Sequence, residues 1–483
     1  MSDLDPRLFA PGAVDFLKNN YPVANDPTSQ GSVSIRLPDG RTLTLPRQQY
    51  SRGAGTALSY ARDIHRGLMK VDTKLTDKDN LSVRHLIDHS EDPGTPASLA
   101  VNQVGTYSRN QNAALNHVRV WAPTINSEAR LVYSRRNYRV IENMPAQFSI
   151  AGSGLPTIGN QNYPQGRTDN LYELTNNWSQ MKSRHTLRYG FNYLQFRLNS
   201  FFAPSLRGVI NYPSLSDLLY DRNASFSQYA GTGSVPAKTH EFQGFIADDW
   251  RVTNSLTLNI GIRYEYTSAP FGFFSNAKAD VNNWAPRFGF AWSPKSDSGL
   301  LGKISGNGKF VLRGGYAISY DQVFQNILLN NSRNYPRGVT VTQSNLTGAQ
   351  LWDPAKRPAP PQPSDYRGDP NLLPVRFYSP NKRIAQPYAQ QFSLGIERQL
   401  ANNYAVKIFY VGTRGLSLVR EVEQNLGFYA AAVNNNPALL QPVVQAYGMR
   451  PTTVSNQAAF RVDPTKGSIL VGNGYAQSNY HSM

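Results

Sequence analysis

Few residues in this chain have the types and spacing that chemistry needs. Asp248 and Asp249 are adjacent carboxylates, the raw material of an acid–base pair or a cation site. On an extended strand neighbouring side chains point to opposite faces, so the two cannot converge on one proton. They read instead as strand-end charges beside Trp250. His85 and His89 are four apart, a spacing that makes a metal fork on a helix and not on a strand. Ser305 to Lys309, SGNGK, resembles a phosphate loop, but the spacing back to Gly302 is one residue too long. Phe310 also stands where a Ser or Thr would hold magnesium, so the stretch is expected to be a hairpin turn. Gly-x-Ser-x-Gly, His-Glu-x-x-His and any cysteine are absent from the sequence. No enzyme and no cofactor is expected.

The aromatic residues carry more information. Trp250, Tyr264, Tyr266 and Trp292 could stack sugars, as in a carbohydrate-binding module. Their positions near strand ends fit interfacial aromatic girdles more simply. The stretch that holds three of them is EFQGFIADDWRVTNSLTLNIGIRYEY, residues 241–266. In its second half Leu256, Leu258, Ile260, Ile262, Tyr264 and Tyr266 fall on one face, with Thr257, Asn259, Gly261, Arg263 and Glu265 on the other. Period two over about eleven residues means a strand, and at about 3.3 Å per residue a tilted one crosses a bilayer. An outward apolar face and a polar lumen follow, with Asn259, Arg263 and Glu265 expected to face the lumen.

The pattern recurs. Residues 68–88, 113–138, 171–196, 285–321 and 388–415 each read as a further long hairpin, making about twelve strands. Short turns alternate with long connections, roughly 140–170, 199–240, 321–387 and 421–475, which is the arrangement of an outer-membrane barrel. Residues 1–60 read as a loop-rich opening segment with one short hairpin around Pro38-Asp39-Gly40, and 61–483 as the barrel, with a Pro-rich loop at 334–387. That loop is expected to be extracellular and mobile. The expected fold is thus an all-β, antiparallel, partial transmembrane barrel.

Composition agrees. Across 483 residues hydrophobic content is 40% and no run approaches a helical span. Mean hydropathy is −0.47, as alternation would produce. The net charge of +17 comes from singly scattered basic residues such as Arg188, Arg263, Arg287, Arg313 and Arg398. Without polybasic runs, no nucleic-acid partner is expected; a wet lumen or anionic lipid head groups account for the charge.

GFIADDWRVTNSLTLNIGIRYEY resembles the strand pair of TonB-dependent outer-membrane receptors. WAPRFGFAWSP and KFVLRGGYAISYD resemble the strands that follow it, and QPYAQQFSLGIERQLANNYAVKIFYVGTRG is similar to the Oar-like subgroup. The resemblance covers most of residues 65–420. It implies location in the outer membrane of a Gram-negative bacterium and contact with outer-membrane lipid. It also implies an unknown extracellular ligand and energy coupling through the TonB complex. The family's plug, TonB box and signal peptide are not found in this sequence, and such barrels have about 22 strands. The chain is therefore expected to be a truncated piece. The alternatives are a non-transporting adhesion or polymer-binding barrel and a soluble β-rich carbohydrate-binding module.

Overall fold

The computed structural model describes residues 9–21, 26–37, 40–49, 62–93, 104–142, 147–150, 155–269, 278–324, 338–359, 374–378, 385–423 and 468–483, with 102, 326 and 329 as single positions. The chain opens with helix α1 (Ala13–Asn20) and the hairpin β1 (Asp26–Arg36) and β2 (Thr42–Gln49). Long hairpins follow. The first two are β3 (Asp63–Lys74) with β4 (Asp79–Asp92), and β5 (Val104–Ala122) with β6 (Ile125–Glu142). After the short β7 (Gln147–Ile150) come β8 (Gln165–Lys182) and β9 (His185–Phe202). A small insert holds β10 (Val209–Tyr212), helix α2 (Leu215–Leu219) and β11 (Ala224–Gly231). Then come β12 (Ser234–Arg251) with β13 (Leu256–Thr267), and β14 (Asp280–Trp292) joined through helix α3 (Gly299–Ser305) to β15 (Phe310–Tyr320). The rest comprises β16 (Gly338–Leu346), helix α4 (Gly348–Leu351), β17 (Pro374–Tyr378), β18 (Tyr388–Ala401), β19 (Tyr404–Glu423) and β20 (Ser468–Ser482).

One sheet of 14 strands organises the molecule, in the order β3-β4-β5-β6-β8-β9-β12-β13-β14-β15-β18-β19-β20-β17. The twelve strands of the six long hairpins lie in it consecutively, and β20 extends it beyond them. Among the described residues the sheet does not close on itself; β3 and β17 are its edges. Pairing is antiparallel throughout the twelve, and β8 and β9 run in register from Gln165↔Phe202 to Lys182↔His185 without a bulge. Such long registers are set by alternation, because a one-residue slip would turn every apolar side chain to the polar face.

The strands are longer than the alternating cores seen in the sequence, reaching 20 residues in β19. Much of the expected loop at 140–170 and 199–240 is therefore strand: β6 continues to Glu142 and β12 begins at Ser234. The connection between β14 and β15 also departs from a simple hairpin turn. Residues 299–305 form α3, which ends where the Gly306 amide donates to the Gly302 carbonyl with Gly306 at φ 55°. A left-handed glycine after the last helical residue is a common helix stop.

Remaining connections at the long-loop end build a second body. β7, β10, β11 and β16 form a four-stranded sheet in the order β16-β11-β10-β7, with β10 and β7 parallel. Against it packs an apolar core drawn from distant segments: Val14 and Leu17 of α1, Ile35 of β1, Phe148, Ile210, Tyr212, Leu218, Leu219, Phe226 and Leu351. The opening segment thus contributes a helix and a strand to this cap. β16, inside the stretch read as a Pro-rich loop, belongs to it and pairs along β11 from Gly231↔Gly338 to Ala224↔Leu346; residues 334–337, 360–373 and 379–384 of that stretch lie outside the described residues. Gly-Val-Thr-Val-Thr alternates, a pattern obscured in the sequence by the prolines that follow.

Candidate functional site

In an antiparallel pair, residues directly opposite share a face. The registers therefore assign every side chain of the large sheet to one of two faces. On one lie Ile260, Ile262, Phe288, Tyr316, Leu394, Ile396, Ile408 and Tyr410, all large and exposed. On the other a polar ladder runs from strand to strand. Arg66 meets Asp88 at 2.5 Å, Arg130 meets Glu173 at 3.2 Å, and Asp169 takes Arg136 at 2.6 Å and Arg167 at 2.9 Å. Farther along, Arg188 pairs with Asp249 at 2.7 Å, and Glu397 binds both Arg313 and Lys407.

The polar face is the concave one. Leu198 of β9 and Val235 and Ala237 of β12 lie on it, buried against Leu329, and Val323 and Val419 complete the cluster. Val419 is on β19, six strands from β9 in the sheet. A flat sheet would hold those strands about 29 Å apart; meeting at one cluster requires the sheet to curl around it. Val323, Asn326 and Leu329, which follow β15, thus lie along the inner wall. Gln322 donates to Glu241 at 2.5 Å, and Asn326 and Leu329 close a cavity of about 530 Å³ whose wall includes Ser108, Asn110, Arg136 and Arg167.

The residues singled out in the sequence fall as follows. Arg263 donates to Glu265 at 2.7 Å and to Gln243, and Asn259 donates to Asp249 at 2.5 Å; all five share the concave face. Beside them is a shallow trough of about 580 Å³ whose floor is kept low by Gly261, Gly289, Gly315 and Ala317. Trp250, Tyr264, Tyr266 and Trp292 lie on the apolar face, in two groups. Trp250 stacks on His185 at 5.3 Å near the short-turn end, where Trp292 also lies opposite Leu256. Tyr264 packs on Trp284 at 4.7 Å toward the long-loop end, and Tyr266 faces Phe242 there. Trp284 and Trp292 bracket about 26 Å of strand.

Asp248 and Asp249 diverge as strand geometry requires. Asp249 joins the inner ladder, while Asp248 accepts from His185 at 2.6 Å on the apolar face. A similar group, Asp79 with His117 and Arg119, each at 3.0 Å, was hidden in the sequence because Asp79 reads as a turn residue. It lies beside Trp121, which stacks on Trp178 at 5.4 Å. Sequence spacing carried no signal for it, since its members come from different strands. His89, expected to be unremarkable, sits between His65 and Tyr107 with Glu91 at 3.3 Å.

A curled antiparallel sheet with an apolar convex face, aromatic residues at both its margins and a charged concave face defines the wall of an outer-membrane β-barrel. The chain belongs to the outer membrane beta barrel domain family, whose model matches residues 5–275 and 273–483. Among solved structures it is similar to the outer membrane transporter YddB from Escherichia coli. The identity is 12%, the TM-score 0.53, and the match covers 94% of this chain and 47% of that one. It is also similar to the ferripyoverdine receptor of the outer membrane of Pseudomonas aeruginosa, at 10% identity and TM-score 0.47, covering 86% and 45%. The ferric enterobactin receptor of the same organism, at 10% identity and TM-score 0.47, covers 89% and 50%. The transporter likeness bears on the fold alone, and the chain spans about half the length of these structures. No curated protein matches it in sequence.

Proposed function

We propose that this chain is part of the barrel of a TonB-dependent receptor that captures an extracellular ligand and passes it inward. The observation that carries this is the charged concave wall touched by Gln322, Val323 and Leu329, which follow β15. Ion-paired side chains lining a wet interior, with loop residues touching it, suit a gated path better than a plain adhesive surface. In this proposal Asn259, Arg263 and Glu265 line the path. Trp250 and Trp292 mark one membrane interface, Tyr264 and Tyr266 the other. The loop cap, with its own apolar core, would meet the ligand first. It also favours a second proposal, a surface-binding barrel without transport, because a packed cap is a firm platform.

The two are separated by energy coupling. The full-length protein, cross-linked in living cells that carry a TonB with photoreactive residues in its periplasmic domain, is expected to form a covalent adduct with it. Absence of the adduct, under conditions where a known receptor in the same cells gives one, would reject the transporter proposal in favour of the adhesive one.

A further inference from the structure

Three cross-strand rows at the loop end of the concave wall converge on the cavity of about 530 Å³ closed by Asn326 and Leu329. In the first, Ser108 of β5 lies opposite Tyr138 of β6, Tyr138 opposite Arg167 of β8, and Arg167 opposite Ser200 of β9. The second, one step deeper, places Asn110 opposite Arg136 and Arg136 opposite Asp169. The third, nearer the loops, ends in Gln165 opposite Phe202. Side chains directly opposite, or one step away diagonally, stand within about 5–8 Å of each other. Four strands therefore contribute to one space.

The charges around this space do not cancel. Asp169 accepts from Arg136 through Nε at 3.0 Å and Nη2 at 2.6 Å, and from Arg167 through Nε at 2.9 Å. The neighbouring acids Asp88 and Asp92 are matched by Arg66 at 2.5 Å and Arg62 at 3.8 Å. Four cations thus stand against three carboxylates, and one positive charge is left over. The rest of the wall is neutral and forms hydrogen bonds. Ser108 is bonded to Ser90 at 2.9 Å, Ser200 is buried, and Asn110 holds a buried side-chain oxygen that receives no donor. Tyr138 and Phe202 add ring surface.

We infer that the cavity binds an acidic sugar, a hydroxyl-rich ring carrying one carboxylate, as part of an oligosaccharide. A planar carboxylate matches the guanidinium fork, and its single charge matches the single excess. A phosphate monoester carries about −1.5 to −2 at neutral pH and would bring more charge than the wall can balance. A neutral sugar would leave the excess guanidinium charge unmatched. Ring hydroxyls both donate and accept, which suits a wall of serines, amides and guanidiniums and supplies the donor that the Asn110 oxygen lacks. An apolar acid would strip water from those groups and return nothing. The carbon face of the ring would pack on Tyr138 or Phe202. This inference rests on the transporter proposal, whose ligand it names by class.

The test is a glycan array probed with fluorescently labelled full-length protein in detergent, displaying neutral, carboxylated, sulfated and phosphorylated oligosaccharides. Binding is expected on carboxylated glycans, and to fall at least about tenfold when the same glycan is offered with its carboxylate reduced to an alcohol. Arg136→Gln and Arg167→Gln are expected to abolish that preference. Lys182→Gln, at the short turn between β8 and β9, is expected to leave it unchanged. Should the arginine variants alter strand dichroism, Ser108→Asp serves instead, adding a carboxylate to the wall and weakening binding likewise. No binding to any carboxylated glycan, equal binding of the reduced glycan, wild-type preference in the cavity variants, or equal loss in Lys182→Gln would overturn the proposal. The array needs no TonB. A negative array with a TonB adduct therefore removes the ligand class alone, and a positive array without the adduct removes transport alone.

Discussion

Single residues show how strictly the two faces differ. Ile260 and Asn259 are neighbours with opposite surroundings: Ile260 is exposed among Phe288 and Ile262, and Asn259 is bonded to Asp249. Ile260 lies midway between Leu256, opposite Trp292, and Tyr264, opposite Trp284. In the assembled barrel Ile260→Arg is expected to cost about 2–4 kcal/mol near the bilayer midplane, and Asn259→Arg far less beside a carboxylate. Folding titrations into lipid vesicles give the order, and equal costs would remove the face assignment. In the cap, Asp217 titrates differently from a free carboxylate. Burial acts to raise its pKa, but bonds from Ser214, Asn223 and Arg222 outweigh that and hold it below the ordinary carboxylate range. A depressed folded value contributes stability above the unfolded pKa of about 3.9, lost as pH falls through the folded value. The cap is thus expected to hold steady from neutral pH down to about 5 and to weaken below about 4. Fluorescence of a variant keeping only Trp352, which stacks on Phe16 in the cap, would report it, and Asp217→Asn should flatten the acid limb. Burial also pushes the Tyr21 phenol up to about 12 and Tyr212 higher still, so neither joins this titration.

At the scale of elements, paired strands exchange bulk for contact. Phe409 of β19 lies over Gly395 of β18, and Phe392 of β18 lies over Gly412 of β19, one ring on each face. A Cβ at either glycine would sit about where the ring now is. Gly412→Val is therefore expected to lift Phe392 off its partner strand, costing about 1–3 kcal/mol as an overpacked site. Gly40→Val is no control, since its φ of 86° is strained for any side chain; Ala317→Val, on an open stretch of the trough, serves better. Guanidinium unfolding midpoints compare the two, and a Gly412→Val midpoint equal to that of Ala317→Val would show the ring contact to be unimportant.

At the largest scale the decisive feature is that, among the described residues, the sheet is open. Among the described residues its edges β3 and β17 have no further strand beside them, and an unpaired backbone group costs several kcal/mol in hydrocarbon. Strand number and shear must agree before a barrel closes. Refolded alone into lipid, the 483-residue chain is expected to run at the same gel position heated and unheated. Heat-modifiable migration, the mark of a closed barrel, would contradict this.

What was legible in the sequence is what period two can encode. Alternation over Leu256 to Tyr266 separates Tyr264 and Tyr266 from Asn259, Arg263 and Glu265 without reference to any neighbour. Six hairpins could be placed in order because each turn is local. The cap was illegible: its core joins Leu17, Phe148, Tyr212 and Leu351, and no window of sequence contains two of them. Loop prolines and glycines hid β16, whose partner β11 lies more than a hundred residues earlier. The cavity wall was equally hidden, because Ser108, Arg136, Arg167 and Ser200 come from four strands and lie far apart along the chain. Strand pairing sets cross-strand distances near 4.8 Å regardless of sequence separation. That lateral register, which only the folded sheet possesses, turns scattered arginines into one site.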